Sequence, residues 1–389
     1  MGSRALTFRR LAVNLLFLAS SCLIALGAAE AFIRLAGHTI LGNGEWLSSS
    51  VIFDLYDEPV GFSLWPGSGR TLIAGGAYTV REQMNSFGLR DVERTYERTP
   101  GRRRVLILGD SFVYGQGARF EEILPRRLER MLPGVEVVNA GIPGYNLGQD
   151  YLSYKDRMRR FRPDLVIVAL FINDFQEQGT LVLTRDEEGL PLSYRRRPDL
   201  VERDKRRIPT TVRSRLSEWM RQHSMLFALA RQRLRTARAG GGEELLTENP
   251  RTSRREAYFP FFLAKPDLAT AKGWSDGLRV LEALGKDVAA DGGRFAVLLV
   301  PAVWQLSDPL FAGWGRSQGA DLADLDRLKP QRTVTEWCRA SATPCLDLVE
   351  AMTPRGLDLY YPYDMHWNGE GHRVAAEAVR DFLAANGLP

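Results

Sequence analysis

The sequence predicts an α/β fold: a five-stranded parallel sheet with helices over both faces. Two observations predict it. Five short apolar runs rich in branched residues occur at 105–108, 135–138, 165–170, 295–300 and 345–349. Amphipathic stretches at 119–132, 150–160 and 277–290 fall between them, so strands alternate with helices as in a doubly covered parallel sheet.

The chain begins differently. Residues 11–29 carry no charge, are preceded by Arg4, Arg9 and Arg10, and are followed by Glu30 and Arg34. That length suits the ~20 residues a helix needs to cross a bilayer. The upstream arginines orient such a helix with its N-terminus in the cytoplasm, so the remainder of the chain is expected outside it. Three readings remain open: a retained anchor, which the long apolar run fits best, a signal peptide cleaved near Gly27-Ala28-Ala29, and lipid attachment at Cys22.

Residues 1–36 are thus read as cytoplasmic tail and transmembrane anchor. Residues 37–100 alternate short apolar runs with turn residues, as in Phe62-Ser63-Leu64-Trp65-Pro66-Gly67 and Tyr78-Thr79-Val80, and are read as accessory strands. A polar bridge at 97–104, containing Pro100-Gly101, marks the start of the main domain, residues 101–389.

About 120 residues separate the third apolar run from the fourth, too many for a simple connection, so a helical insertion is expected at about 176–265. It holds the basic runs Arg195-Arg196-Arg197 and Lys205-Arg206-Arg207. A helix is expected over 212–236, with Leu216, Trp219, Met220, Leu226, Phe227 and Leu234 near one face, and Gly240-Gly241-Gly242 as a flexible joint after it. That helix reads either as a packed element with a solvated basic face or as a lid or membrane-facing flap over the active site.

The net charge of +5 arises from 52 Lys and Arg against 47 Asp and Glu. Such a balance favours solubility and gives no reason to expect a nucleic-acid partner. Beyond Cys22 there are two cysteines, Cys338 and Cys345, which read either as a disulfide or as two free buried thiols. No metal or cofactor is expected, because no CxxC or paired His/Cys cluster occurs.

Four chemistry-bearing blocks follow predicted strands: Gly109-Asp110-Ser111; Asn139-Ala140-Gly141-Ile142-Pro143-Gly144-Tyr145-Asn146; Phe171-Ile172-Asn173-Asp174; and Tyr363-Asp364-Met365-His366-Trp367-Asn368. In an open parallel sheet, ligands bind outside the carboxyl ends of the strands, so segments distant in sequence converge there. Ser111 is a weak nucleophile until a base takes its proton, and His366 has a carboxylate close by to orient it. The Ser111 and Gly144 N–H groups and the Asn173 amide are the candidate donors for an oxyanion.

These residues resemble the SGNH hydrolases, the GDSL esterase/lipase family. Ser111, Gly144, Asn173 and His366 match its four signature residues in order, over a span from about Arg103 to the C-terminus without the insertion. The resemblance implies a flavodoxin-like three-layer sandwich and a serine esterase cleaving a carboxylic ester through an acyl-enzyme. Ser111 would be the nucleophile, His366 the base and Asp364 its orienter, with Ser111, Gly144 and Asn173 forming the oxyanion hole. The expected partners are an ester or acylated glycan or lipid substrate and the membrane through the N-terminal helix; the expected location is extracytoplasmic, on the periplasmic side. An O-acyltransferase for a cell-surface polysaccharide and a non-catalytic binding protein of the same fold are the alternatives.

Two departures stand out. The usual pattern has an aspartate three residues before the histidine, where this chain has Tyr363; Asp364 lies two before, and without it the site would be a Ser-His dyad. Phe171-Ile172 stand where small glycines are common, which narrows the expected pocket. Taken singly, Ser111 could be an N-cap, Gly144 a turn glycine, Asn173 an Asx-turn residue and His366 a surface histidine. His372 is expected to be structural, bonding backbone near a helix end, and His38 and His223 have no evident partners. Gly273-Trp274-Ser275-Asp276-Gly277 satisfies the G-x-S-x-G pattern, with Asp347 and His366 following in the order of an α/β-hydrolase. It is set aside because the preceding 264–272 read as a Pro-Asp capped helix rather than a strand.

Overall fold

The structure, a computed structural model, describes residues 2–49, 53–55, 58–176, 181–197, 211–238 and 259–388. Two compact units emerge, one comprising Met1–Ser50, Arg70–Thr79 and Pro209–Thr247, the other Val51–Gly69, Val80–Ile208 and Glu248–Pro389.

The first unit contains helix α1 (Gly2–Ala36), long and apolar enough by composition to cross a membrane. Its side chains from Leu11 to Ile24 are exposed, as a lipid-facing surface would be. After α1, a short strand Trp46–Ser48 pairs antiparallel with Leu72 to Ala74. A small core forms from Ile33, Leu41, Leu47, Ile73, Met225 and Ala228.

The second unit is built on the five expected strands: β1 (Arg103–Gly109), β2 (Val135–Gly141), β3 (Leu165–Leu170), β4 (Arg294–Leu299) and β5 (Cys345–Asp347). Their order is β5-β4-β3-β1-β2, and every pairing is parallel. The Val105 to Leu108 side chains are wholly buried, which is why this run is apolar without alternation. From β1 the chain runs outward to β2 and then crosses back to β3. The strand order reverses between β1 and β3, and the crevice at their carboxyl ends is the place such sheets bind ligands.

Of the helices in this unit, α2 (Ser111–Tyr114) follows β1 directly; α3 (Leu124–Met131) packs with α11 (Gly369–Ala385), and α4 (Leu147–Asp156) packs with α7 (Leu268–Ala290). The segment after Pro59 lies beside α4: Gln149 Nε2 donates to the Val60 carbonyl at 2.7 Å and Tyr145 Oη donates to that of Phe62 at 2.6 Å. Short strands Phe53–Leu55 and Ser63–Leu64 pair antiparallel.

Three expectations change. The helix expected over 212–236 is two, α5 (Val212–His223) and α6 (Met225–Arg238), broken at Ser224. The cause is both local and tertiary: Ser224 Oγ accepts from Phe227 N at 3.1 Å as an N-cap, and the Glu30 carboxylate accepts from Ser224 Oγ, Met225 N and Leu226 N at 2.8–2.9 Å, satisfying the orphan donors that start a new helix. The helical stretches expected at 264–272 and 277–290 are one continuous helix that starts at Leu268, where the Asp267 side chain accepts from Thr270 N. Gly273 to Gly277 therefore lie inside α7, and Ser275 cannot sit on a strand-to-helix elbow. Thirdly, Arg195 and Arg196 belong not to a helical segment but to a hairpin, Leu181–Arg185 with Pro191–Arg196. Lys205-Arg206-Arg207 and Gly240-Gly241-Gly242 lie outside the described residues. Cys338 and Cys345 are free thiols.

Candidate active site

Ser111 is the first residue of α2, immediately after β1. Asp110 caps this helix through its side chain, which accepts from Phe112 N at 3.0 Å. The turn is tight enough to exclude side chains around it. A Cβ on Gly109, whose φ is 147°, would lie 2.7 Å from Val113 Cγ2, and one on Gly141 would lie 2.4 Å from Tyr114 N. Glycines there let β1, β2 and α2 approach closely, and that approach fixes the position of the Ser111 hydroxyl.

His366 comes from the loop before α11. Its Nε2 lies 2.7 Å from Ser111 Oγ and its Nδ1 lies 3.0 Å from Asp364 Oδ1. With the proton on Nδ1, the ring donates to the carboxylate and accepts from the serine hydroxyl. Asp364 is nearly enclosed, at 4% exposure, while His366 retains 19%. The ring of Phe112 packs against that of His366 at 5.1 Å and against Trp367 at 5.0 Å, restricting the imidazole from the side.

The two-residue spacing works because the loop is folded back on itself. Tyr363 and Met365, on either side of Asp364, adopt left-handed φ values of 66° and 67°. Such conformations cost ordinary residues roughly 1–3 kcal/mol each. The loop is held by Tyr361 N donating to the His366 carbonyl at 2.8 Å and Met365 N donating to that of Tyr361 at 3.1 Å. A regular strand or helix would not turn Asp364 onto the ring of its near neighbour.

Gly144 lies in the loop after β2, with φ 80°, and Asn173 follows β3 in a single turn of 3₁₀ helix, Ile172–Phe175. Asp110 links the two strand ends: its Oδ2 accepts from Asn173 Nδ2 at 3.5 Å and lies at the same distance from Ser111 Oγ. Among the described residues, the Ser111 and Gly144 N–H groups have no hydrogen-bond partner. Both are therefore available to a ligand oxygen.

The electrostatics favour a base that holds its proton strongly. Burial works against the charged imidazole of His366, yet the Asp364 carboxylate and its hydrogen bond, with Asp110 and Glu82 beyond, outweigh it and raise the pKa above 6.5. Burial also raises the pKa of Asp110, opposed by the Phe112 N–H and the His366 charge. Asp150 and Asp174 are pushed well above the carboxylate range, first by burial and then by the Asp110 charge.

Ser111, His366 and Asp364 are thus joined by hydrogen bonds, and Asn173 is tied to Ser111 through Asp110. Asp110, which the sequence shows only within the Gly109-Asp110-Ser111 block, is the cap of α2, and its place between a strand and a short helix is the local signal for that role. His372 is buried with Nδ1 accepting from Leu124 N at 3.2 Å, and burial pushes its pKa down to about 3, as suits a structural histidine. A cavity of about 500 Å³ lies between α4, α7 and the hairpin, lined by Asn146, Asp174, Arg185, Tyr194 and Lys272 among others. Neither Ser111, Gly144, Asn173, Asp364 nor His366 lines it.

A family model described as the GDSL-like Lipase/Acylhydrolase family matches residues 107–374, a span containing all five of those residues. No curated protein matches the chain. Similar solved structures include the lipase/acylhydrolase from Enterococcus faecalis (13% identity, TM-score 0.37, covering 73% of this chain and 96% of that one). Another is a catalytic mutant of Axe2, an acetylxylan esterase from Geobacillus stearothermophilus (13% identity, TM-score 0.35, covering 74% and 96%). A third is a two-domain esterase active on acetylated mannans (12% identity, TM-score 0.35, covering 73% and 49%). These likenesses are too distant to carry a functional argument.

Proposed function

The chain belongs to the GDSL-like lipase/acylhydrolase family and is a serine hydrolase of that type; from this premise we propose that it is a membrane-anchored, extracytoplasmic esterase acting through a Ser111-His366-Asp364 triad. What carries the reading is the continuous chain of hydrogen bonds, 2.7 Å from Ser111 Oγ to His366 Nε2 and 3.0 Å from Nδ1 to Asp364 Oδ1.

In this mechanism His366 Nε2 takes the proton from Ser111 Oγ as the oxygen attacks the ester carbonyl. The negative charge that develops on the carbonyl oxygen is met by the Ser111 and Gly144 N–H groups and by Asn173 Nδ2. Such preorganised donors are each worth about 10²–10³ in rate. The imidazolium then gives its proton to the departing alkoxide, leaving an acyl group on Ser111. Water attacks this acyl-enzyme with His366 again as base. Asp364 keeps the Nδ1 proton in place and stabilises the imidazolium. Arg4, Arg9 and Arg10 before the apolar span of α1 favour an orientation with the second unit outside the cytoplasm.

The test combines a serine-directed fluorophosphonate probe with a screen of acetyl through long-chain esters, using Ser111→Ala and His366→Ala as controls. The expected result is labelling at Ser111 and ester turnover lost in both variants. A folded protein that neither labels nor turns over any ester would be a binding protein instead. Acylated glycan formed when a polysaccharide acceptor is supplied would reassign the second half-reaction to transfer.

A further inference from the structure

Helix α5 is inside out. At 3.6 residues per turn, Val212, Leu216, Trp219 and Met220 fall within an arc of about 100° on one face. That face is the exposed one, with Val212 at 85%, Leu216 at 55%, Trp219 at 56% and Met220 at 37%. The side turned toward α6 is polar: Ser217 and Arg221 are half-buried, and Arg231 Nη1 of α6 donates to Ser217 Oγ at 3.3 Å. An amphipathic helix ordinarily buries its apolar stripe. Here the folded unit leaves that stripe outward.

The turn between α5 and α6 is fastened to α1 at the point where its charge-free span ends. Glu30, the first charged residue after residues 11–29, accepts from Ser224 Oγ, Met225 N and Leu226 N. One turn later on the same helix, Arg34 Nη2 donates to the His223 carbonyl at 2.9 Å while its Nε bonds Glu30 at 2.6 Å. The C-terminal end of α5 is therefore held at the boundary between the apolar span and the first charges beyond it. Trp219 and Met220 lie in that end, and Trp219 stacks on His223 with ring centroids 4.6 Å apart. Tryptophan is characteristic of the headgroup level, where one side of the ring is apolar and the other wet. The helix also carries Arg213, Arg215 and Arg221 against the single acid Glu218, a charge balance that attracts anionic headgroups.

We propose that α5 is an interfacial helix: its Val212, Leu216, Trp219 and Met220 face docks into the surface of the bilayer that α1 spans, with anionic lipid headgroups around its arginines. The inference rests on the reading of α1 as a membrane span. It assigns the exposed apolar face to lipid, and it gives the first unit two attachments to the membrane, one across it and one along it. A surface helix of this kind binds in proportion to the apolar area it buries, strengthened by anionic lipid.

The test uses the full chain in nanodiscs of phosphatidylcholine with phosphatidylglycerol. An environment-sensitive fluorophore is placed on one introduced cysteine at a time, Phe17→Cys, Leu216→Cys or Gln222→Cys, with the three natural cysteines replaced by serine. Spin-labelled lipids quench the probe according to its depth. Quenching is expected at 17 and at 216, with 216 at least about twofold above 222 on the side of the helix, and weaker at 216 in pure phosphatidylcholine. Quenching at 17 with 216 no greater than 222 overturns the inference and leaves the span intact. No quenching at 17 refutes the span, and the inference with it. Energy transfer between copies at 216 in place of lipid quenching overturns it in favour of a second copy covering the face. Amide hydrogen exchange over 212–223 in the unsubstituted chain gives a readout free of the cysteine changes: slower exchange with anionic lipid supports the inference, and an unchanged rate overturns it.

Discussion

Substituting Asp364 by asparagine preserves the size of the side chain while removing its charge, and substituting it by alanine removes the hydrogen bond altogether. The carboxylate lies 3.0 Å from His366 Nδ1 in a nearly enclosed position. A charge-assisted hydrogen bond of this kind contributes about 1.5–3 kcal/mol, which at about 1.4 kcal/mol per tenfold predicts a loss of roughly 10- to 140-fold in kcat/KM for Asp364→Ala. Asparagine is expected to do worse. Its amide can donate to Nδ1 and drive the ring proton to Nε2, which then cannot accept from Ser111, an inversion that costs about 10⁴-fold in the serine protease case.

The pH profile supplies a second readout with a definite sign. His366 must be neutral to act as base, so activity is lost as pH falls through its pKa in the folded protein. Burial lowers that pKa, but Asp364 raises it by charge and by hydrogen bond, and the balance lies above 6.5. The acid limb of wild-type kcat/KM is therefore expected above 6.5, and in Asp364→Ala it should move to lower pH, because burial remains when the carboxylate is gone. The assay is hydrolysis of a short p-nitrophenyl ester across the neutral range, with circular dichroism to verify folding. Variants within about threefold of wild type, with an unmoved acid limb, would refute the orienter role and leave a Ser111-His366 dyad.

Three further substitutions follow from the same geometry. Asn173→Ala removes an amide 3.5 Å from the Asp110 carboxylate beside Ser111, and kcat is expected to fall by about 10²–10³ with KM nearly unchanged; steady-state kinetics would contradict the oxyanion role if KM moved instead. Gly141→Ala places a Cβ 2.4 Å from Tyr114 N, so denaturant titration should register about 1–3 kcal/mol of destabilisation together with reduced turnover; unchanged stability would mean that α2 yields freely. Ser275→Ala, on the exposed side of α7, should leave ester hydrolysis within about twofold of wild type, since surface substitutions away from special features are near neutral. A loss of activity there with Ser111→Ala still active would transfer the nucleophile to the G-x-S-x-G segment.

The sheet was legible because a parallel strand buried on both faces reads as a near-continuous apolar run, and Val105 to Leu108 and Leu165 to Leu170 do so. The convergence of Ser111, His366 and Asp364 was legible for a related reason: once strands are placed, their carboxyl ends share one edge of the sheet. Strand ends were harder to place. β1 begins at Arg103, whose exposed side chain carries no apolar signal, and β2 runs on through Asn139 to Gly141.

The break at Ser224 is marked only by one serine: residues 212–236 keep helical spacing throughout, Ser224 Oγ accepts from Phe227 N as a local cap, and the other caps come from Glu30, far away in the chain. The hairpin at Leu181–Arg185 and Pro191–Arg196 was equally hidden among its arginines. Even for Asp364, sequence supplied the candidate and a spacing one residue shorter than the usual pattern. The left-handed residues at Tyr363 and Met365 turn that spacing into contact, held by hydrogen bonds across the loop. By itself, then, the sequence determined where the strands run and which side chains reach their ends, because burial imposes a local pattern on each strand. Only the folded structure decided how Asp364 meets His366, because the left-handed turns at Tyr363 and Met365 leave no periodic mark, and how firmly α5 is stopped, because Glu30 adds to the local Ser224 cap from far along the chain.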